Sequence, residues 1–159
     1  MKFSTPHYHL HQEQFVARDL GETFSFFEDA ANLQAITPES LDFRIVTPLP
    51  LEMATGTLID YQLKLCRIPF HWQTRITDYT PPSCFLDEQI RGPYQLWRHR
   101  HEFKAVEGGT LMTDDIEYAI GWGPLGKIAH AAFVQRMLRN IFAYRRERIE
   151  VLIGGGTQT

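Results

Sequence analysis

The hydrophobic period of this chain changes at Pro124, and that change constrains the fold more than any other feature. Upstream, apolar and polar residues alternate through "TLIDYQLKL", "RIPFHWQTRITDY", "CFLDEQIRG", "YQLWRHRHEF" and "TLMTDDIEYAI". Turn signals separate these runs at Pro81-Pro82, Gly92-Pro93 and Gly108-Gly109. A period of two, broken every eight to twelve residues or so, describes a meander of antiparallel strands in a strongly curved sheet. Downstream the period is 3.6, and Val134, Leu138, Ile141, Arg145, Ile149 and Leu152 fall in one stripe. Pro124 suits a first helical turn and Gly154 a helix end, so the pattern predicts one helix of roughly 28 residues, about 42 Å long. Such a helix must bury its stripe, and the concave face of the sheet is the surface on offer. One helix cannot fill a wide curved sheet with side chains, so the space left over becomes a cavity.

The start of the chain completes the architecture. "YHLHQEQFV" reads as a first strand, and "RDLGETFSFFEDAANLQAI" then changes period. Asp19 can cap a short helix with Leu20, Phe24 and Phe27 on its apolar face, and Asp29 can cap a second turn reaching Leu33. Thr37-Pro38 breaks the chain, and "LDFRIV" is a short strand. The expectation is an α+β fold. About seven antiparallel strands wrap around a long C-terminal helix, and two short helices follow the first strand. It forms one domain over residues 1–153, with a flexible "GGGTQT" tail at 154–159.

Composition excludes several function classes. The formal net charge of −3 argues against nucleic acid as a partner. No apolar run nears the roughly 18 residues a membrane helix needs, and the first residues lack the apolar core of a signal peptide. Two cysteines, Cys66 and Cys84, are too few for a disulfide scaffold and read as reduced thiols of a cytoplasmic protein.

The segments "FFEDAANLQAITPESLDFRI", "GTLIDYQLKL", "IPFHWQTRI", "PPSCFLDEQIRGPYQLWRHRHEF", "GGTLMTDDIEY" and "IFAYR" together resemble the SRPBCC, or START-like, superfamily and its helix-grip fold. The likeness runs from Tyr8 to Ile153 and is greatest to the bacterial ligand-binding branch described as cyclase/dehydrase-like. It implies a cavity for a small hydrophobic or amphipathic molecule. It implies no particular activity, because that superfamily spans binders, transporters and enzymes. One departure is "AIGWGPLG": Gly121 and Trp122 stand where relatives often carry a proline at the start of the last helix.

In such a fold one parity of each strand faces the cavity. That parity gives Tyr61, Trp72, Asp87, Gln89, Trp97, His99, His101, Asp114 and Tyr118, with Arg145 supplied by the helix. Aromatic walls with a few convergent polar groups suit small-molecule binding. The pair His99 and His101 admits several chemistries. Each ring can simply satisfy a neighbouring carboxylate, or one or both can contact a ligand. A His–Asp pair could instead act as a general base in a cyclase, dehydratase or hydrolase, although no Ser or Cys nucleophile shares the face. His-x-His on a strand can also hold a metal, whose third ligand would have to be Asp87 or Asp114. With no further histidine assured on that face, the pattern predicts no stoichiometric zinc, and no cofactor is called for. His7, His9 and His11 read as a solvent-facing edge. Arg145 sits mid-stripe, where its stem can pack while its head reaches water or a carboxylate, or where it can pair with Asp87 or anchor an anionic ligand group. Arg136, Arg139, Arg146 and Arg148 read as a solvated basic face. They leave one further alternative, an interaction module with a vestigial cavity.

Overall fold

The structure, a computed structural model, describes residues 5–155; the tail expected beyond Gly155 lies outside them. Seven strands form one antiparallel sheet: β1 (His7–Val16), β2 (Arg44–Ile45), β3 (Leu58–Leu65), β4 (Ile68–Thr80), β5 (Cys84–Arg91), β6 (Leu96–Val106) and β7 (Gly109–Ala119). Their order across the sheet is β1-β7-β6-β5-β4-β3-β2, so β2 to β7 form a meander and β1 closes back on β7. The register of β4 against β5 shifts twice, between Gln73 and Thr74 and between Ile76 and Asp78. An extra residue on one strand bends it and sharpens its twist, and the two shifts on this long central strand help curl the sheet. "LDFRIV" contributes less strand than its pattern predicts, since only Arg44 and Ile45 pair with β3.

Two short helices, α1 (Leu20–Glu28) and α2 (Ala30–Ala35), cross one end of the concave face. Asp19 caps α1 by accepting from the Glu22 amide, and Asp29 caps α2 by accepting from Ala31. Both satisfy amides that a first helical turn leaves unpaired. Phe24 is buried with Phe85 and Phe103 and pins α1 to the sheet. Gly109 opens β7 beside the first strand, where a Cβ would stand 2.2 Å from the Val16 carbonyl oxygen. Only glycine allows that approach.

The helical run begins at Pro124 and ends at Ile153, as the period change predicts, but it is not one regular helix. It comprises α3 (Pro124–Ala129), a π-helical turn (His130–Val134) and α4 (Gln135–Ile153). The π turn shifts the helix phase between α3 and α4; within α4 the 3.6 period holds, but the expected stripe is incomplete. Phe142, absent from that stripe, is buried with Val134, Leu138 and Ile149. Leu152 is left 39% exposed, and its neighbour Ile153 packs on the core instead. The run crosses the whole concave face. Val134, Leu138 and Phe142 meet Trp97, Ile116 and Tyr118, while Ile149 meets Val16, Phe85 and Met112.

The edge histidines behave as their alternation suggests. His7, His9 and His11 are exposed on β1, opposite half-buried Tyr8 and Leu10. His7 and His11 pair with Glu117 and Asp115 across on β7. Cys66 and Cys84 are free thiols. No described helix is long and apolar enough to cross a membrane.

Candidate functional site

A cavity of about 170 Å³ lies between the sheet and α4. Strand alternation builds its walls. Tyr61 and Leu63 from β3, Trp72, Thr74 and Ile76 from β4, Phe85 and Asp87 from β5, and Trp97, His99 and His101 from β6 all face inward. Leu138, Ile141, Phe142 and Arg145 close it from the helix, and half-buried Phe26, Leu33, Phe43 and Met53 close it from the short helices and the β2–β3 segment. Trp72 and Trp97 meet edge to face at 5.4 Å between ring centres. The Trp72 indole N–H donates to Thr74 Oγ1 at 3.1 Å, so this polar atom of the wall is already satisfied.

The floor is made by β5, β6 and β7. Asp87 stands opposite His99 in the β5–β6 register, and His101 stands opposite Asp114 in the β6–β7 register. The shortest contacts nevertheless run diagonally. His99 Nε2–H donates to Asp114 Oδ1 at 2.7 Å, and His101 Nε2–H donates to Asp87 Oδ2 at 2.8 Å. Long side chains reach diagonal partners on a twisted sheet, and here the crossing stacks the two imidazoles at 3.7 Å. Each ring also turns its second nitrogen toward the other carboxylate. His99 Nδ1 is 4.0 Å from Asp87 Oδ2, and His101 Nδ1 is 3.2 Å from Asp114 Oδ1. The second of these is within contact range but too poorly aligned for a hydrogen bond, which leaves His101 Nδ1 buried without a partner.

The charges of these four groups follow from burial and neighbours. Burial alone would raise the Asp114 pKa, but the close His101 ring and the bond from His99 hold it far below the usual carboxylate range. Asp87 is likewise lowered, since the His101 bond and the nearby cations outweigh its burial. Burial would lower His101, yet the two carboxylates it faces overcome this and raise it. His99 goes the other way: burial and the adjacent His101 charge lower it despite Asp114. The surroundings thus favour the charged forms of Asp87, Asp114 and His101 and the neutral form of His99, whose Nε2–H is directed at Asp114.

Arg145 brings a guanidinium to the same site. Its guanidinium lies 4.9 Å from the centre of the Phe142 ring, and its Nε is buried with no partner. The ion pair with Asp87 that its stripe position allows does not form: no described carboxylate lies within the 4.0 Å of a salt bridge. Burial lowers the Arg145 pKa, and the more distant charges of Asp114 and Asp87 pull it back up. Arg145 and Asp87 both line the cavity. Burial, with the Asp87 charge nearby, pushes the Tyr61 phenol well above its ordinary range.

Three residues chosen by parity stand off the wall. Gln89 turns aside to grip Tyr94, donating to its carbonyl at 2.7 Å and accepting from its amide at 3.2 Å. Tyr118 pairs with His130 Nε2 at 2.8 Å beneath the π turn. Asp114 sits one layer behind the wall and reaches the cavity only through the histidines. The Gly121–Pro124 loop does not border the cavity either; Trp122 points to solvent with a φ of 70°. Leu138, Ile141 and Phe142 were not among the site residues the pattern picks out, although two of them lie in the helix stripe and so carried the signal.

No protein-family model matches this chain, and no curated protein sequence matches it. Solved structures do. Protein CV1439 from Chromobacterium violaceum superposes with a TM-score of 0.70 at 10% identity, over 93% of this chain and 98% of its own. Ginseng major latex-like protein 151 from Panax ginseng gives 0.66 at 10% identity, over 91% and 96%. The di-domain ARO/CYC StfQ of the steffimycin biosynthetic pathway gives 0.69 at 11% identity, over 92% of this chain and 50% of its own. Identities this low speak for the fold alone: this chain shares with these structures the helix-grip fold expected from its sequence.

Proposed function

We propose that this helix-grip chain binds a small amphipathic molecule of about one aromatic ring, with an anionic end directed at Arg145. The observation that supports this reading is Arg145, which lines an aromatic cavity and has no described carboxylate partner within salt-bridge range, its Nε being buried without a hydrogen bond. Its volume of about 170 Å³ is close to the roughly 150 Å³ of an engineered apolar cavity that admits benzene. Stacking and burial against Trp72, Trp97 and Phe85 supply affinity, at roughly 25 cal/mol per Å² before the costs of association. That term hardly separates one apolar ring from another. Selection falls to the polar groups, because a buried donor left unpaired costs about 1–3 kcal/mol and a carboxylate or phenolate oxygen would satisfy Arg145.

A fluorescent apolar probe should enter one site per chain, and an aryl carboxylate such as benzoate should displace it. Trp97→Ala should weaken both. If benzoate and its neutral analogues all fail to displace the probe, the reading is wrong. Native mass spectrometry of freshly purified protein should show the natural occupant. A second reading, an enzyme, is favoured by Asp114 fixing the His99 tautomer so that Nδ1 is free to accept a proton. Chemical change of the displaced compound on incubation separates that enzyme from a carrier.

A further inference from the structure

We propose that Asp87, His99 and His101 form a binding site for a divalent first-row transition metal, with Asp114 as the outer carboxylate that orients both imidazoles. One donor atom from each of the three residues lies within 4.8 Å of the other two. Asp87 lies on the cavity side of the rings and Asp114 lies behind them. Toward Asp87 Oδ2 point His99 Nδ1 at 4.0 Å and His101 Nε2 at 2.8 Å. A tetrahedral ion with bonds of about 2.0–2.1 Å holds its ligand atoms about 3.3 Å apart. The two observed separations straddle that value, so small side-chain rotations would bring the three donors onto one ion.

The opposite nitrogens make the case stronger than a chance cluster. Metal-bound histidines nearly always direct the other ring nitrogen at a carboxylate or carbonyl. Here His99 Nε2–H donates to Asp114 at 2.7 Å, and His101 Nδ1 stands 3.2 Å from the same oxygen. One buried carboxylate thus serves both rings. His101 Nδ1 is without a hydrogen bond; rotation of that ring toward a bound ion would let it align on Asp114. Two imidazoles and one carboxylate are the donor set of zinc and non-haem iron sites. All three ligands come from one side, so the remaining positions face the cavity, where a ligand oxygen could complete the shell. The strand pattern leaves this site short of a third histidine. The third ligand is instead Asp87, placed by the β5–β6 register.

This site does not need the cavity to hold an organic ligand, so metal binding and probe uptake can fail separately. The test is titration of tag-free, chelator-treated protein with cobalt(II) chloride. One ion per chain should bind and give the visible absorption of a four- or five-coordinate centre, and azide should change that absorption by taking an open position. Asp87→Asn should weaken binding at least tenfold. The exposed β1 histidines are the rival site, so the double variant His9→Gln with His11→Gln should bind cobalt unchanged. Because Asp87→Asn can also disturb folding, imidazole nitrogen resonances of the unaltered protein give an independent readout. Zinc should shift those of His99 and His101 and spare those of His7, His9 and His11. No binding, loss of binding in the β1 double variant, or zinc shifts confined to β1 would each overturn the proposal.

Discussion

Arg145→Met separates a residue that holds the fold from one that holds a ligand. If the guanidinium were locked to a buried carboxylate, removing it would strand that carboxylate at a cost of roughly 3–5 kcal/mol. No such partner lies in range, and Arg145 Nε has none at all. Asp87 and Asp114 are held ionised first by the two histidines, whose bonds at 2.8 and 2.7 Å persist in the variant. Methionine replaces the guanidinium over the Phe142 ring with apolar bulk and removes a charge that pays desolvation without direct pairing. Chemical denaturation should therefore show a loss no greater than about 1 kcal/mol, since exchange of buried charge for apolar bulk is often neutral or better. Ligand selection should change far more. A hydrogen bond to a charged group contributes about 1.5–3 kcal/mol, or roughly ten- to 150-fold in affinity. Benzoate should lose that factor in probe displacement, while a neutral ring such as toluene should keep its affinity within about threefold. Equal weakening of both ligands, or a stability loss of several kcal/mol, would refute the reasoning.

Three further outcomes follow from the same structure. His130 is buried under Tyr8 at 3.5 Å between ring centres, and burial lowers its pKa. Its contribution is present above the unfolded value of about 6.5 and is lost as pH falls through the lower folded value. The stability difference between the parent and His130→Phe should thus shrink on acidification, and a difference constant from pH 8 to pH 4 would contradict this. Asp114→Ala would leave the buried His99 Nε2–H without its acceptor and remove the charge beside His101, and urea denaturation should show a loss of about 3–5 kcal/mol; a loss under 1 kcal/mol would mean that the floor is not a structural network. Phe142→Ala should cost about 3–5 kcal/mol while enlarging the cavity, so a two-ring carboxylate such as naphthoate should gain affinity relative to benzoate. An unchanged ratio would mean that Phe142 does not set the size limit.

What the sequence revealed was what depends on period. Alternation assigned the inward face of β3, β4, β6 and β7 correctly because a side chain in a strand has only two directions to take. The helix start at Pro124 was legible for the same reason, in that a change of period leaves a trace over many residues. The π turn was not, because one extra residue in a helix leaves the local composition untouched, and the expected stripe lies almost wholly beyond it, where the period is regular. Gln89 kept its inward parity but not its role: it lies beside the Gly92-Pro93 turn, and the unpaired amide and carbonyl of Tyr94 compete for its side chain. Parity speaks of faces and says nothing about such local demands for hydrogen bonds.

The floor itself shows where period gives way to register. His99 and His101 share a face whatever their neighbours do, so the sequence announces two imidazoles together. Whether they form a chain of separate pairs or one convergent cluster depends on which residues of β5 and β7 arrive beside them. A slip of one residue in β5 would send Asp87 outward and bring Leu86 or Glu88 to its place. That register is set far from the site, by the turns at Gly92-Pro93 and Gly108-Gly109 and by the close approach that Gly109 allows. Replacing Gly109 with a bulkier residue should therefore disturb the histidines without touching them: Gly109→Val must displace β7 from Val16, and the His99–Asp114 contact moves with that strand. A shift in the His99 imidazole resonances of Gly109→Val, with Trp97 fluorescence little changed, would trace that coupling. Unchanged histidine resonances in a folded variant would show that β7 adjusts only at its end, and that the β5–β6 turn at Gly92-Pro93 alone fixes the floor.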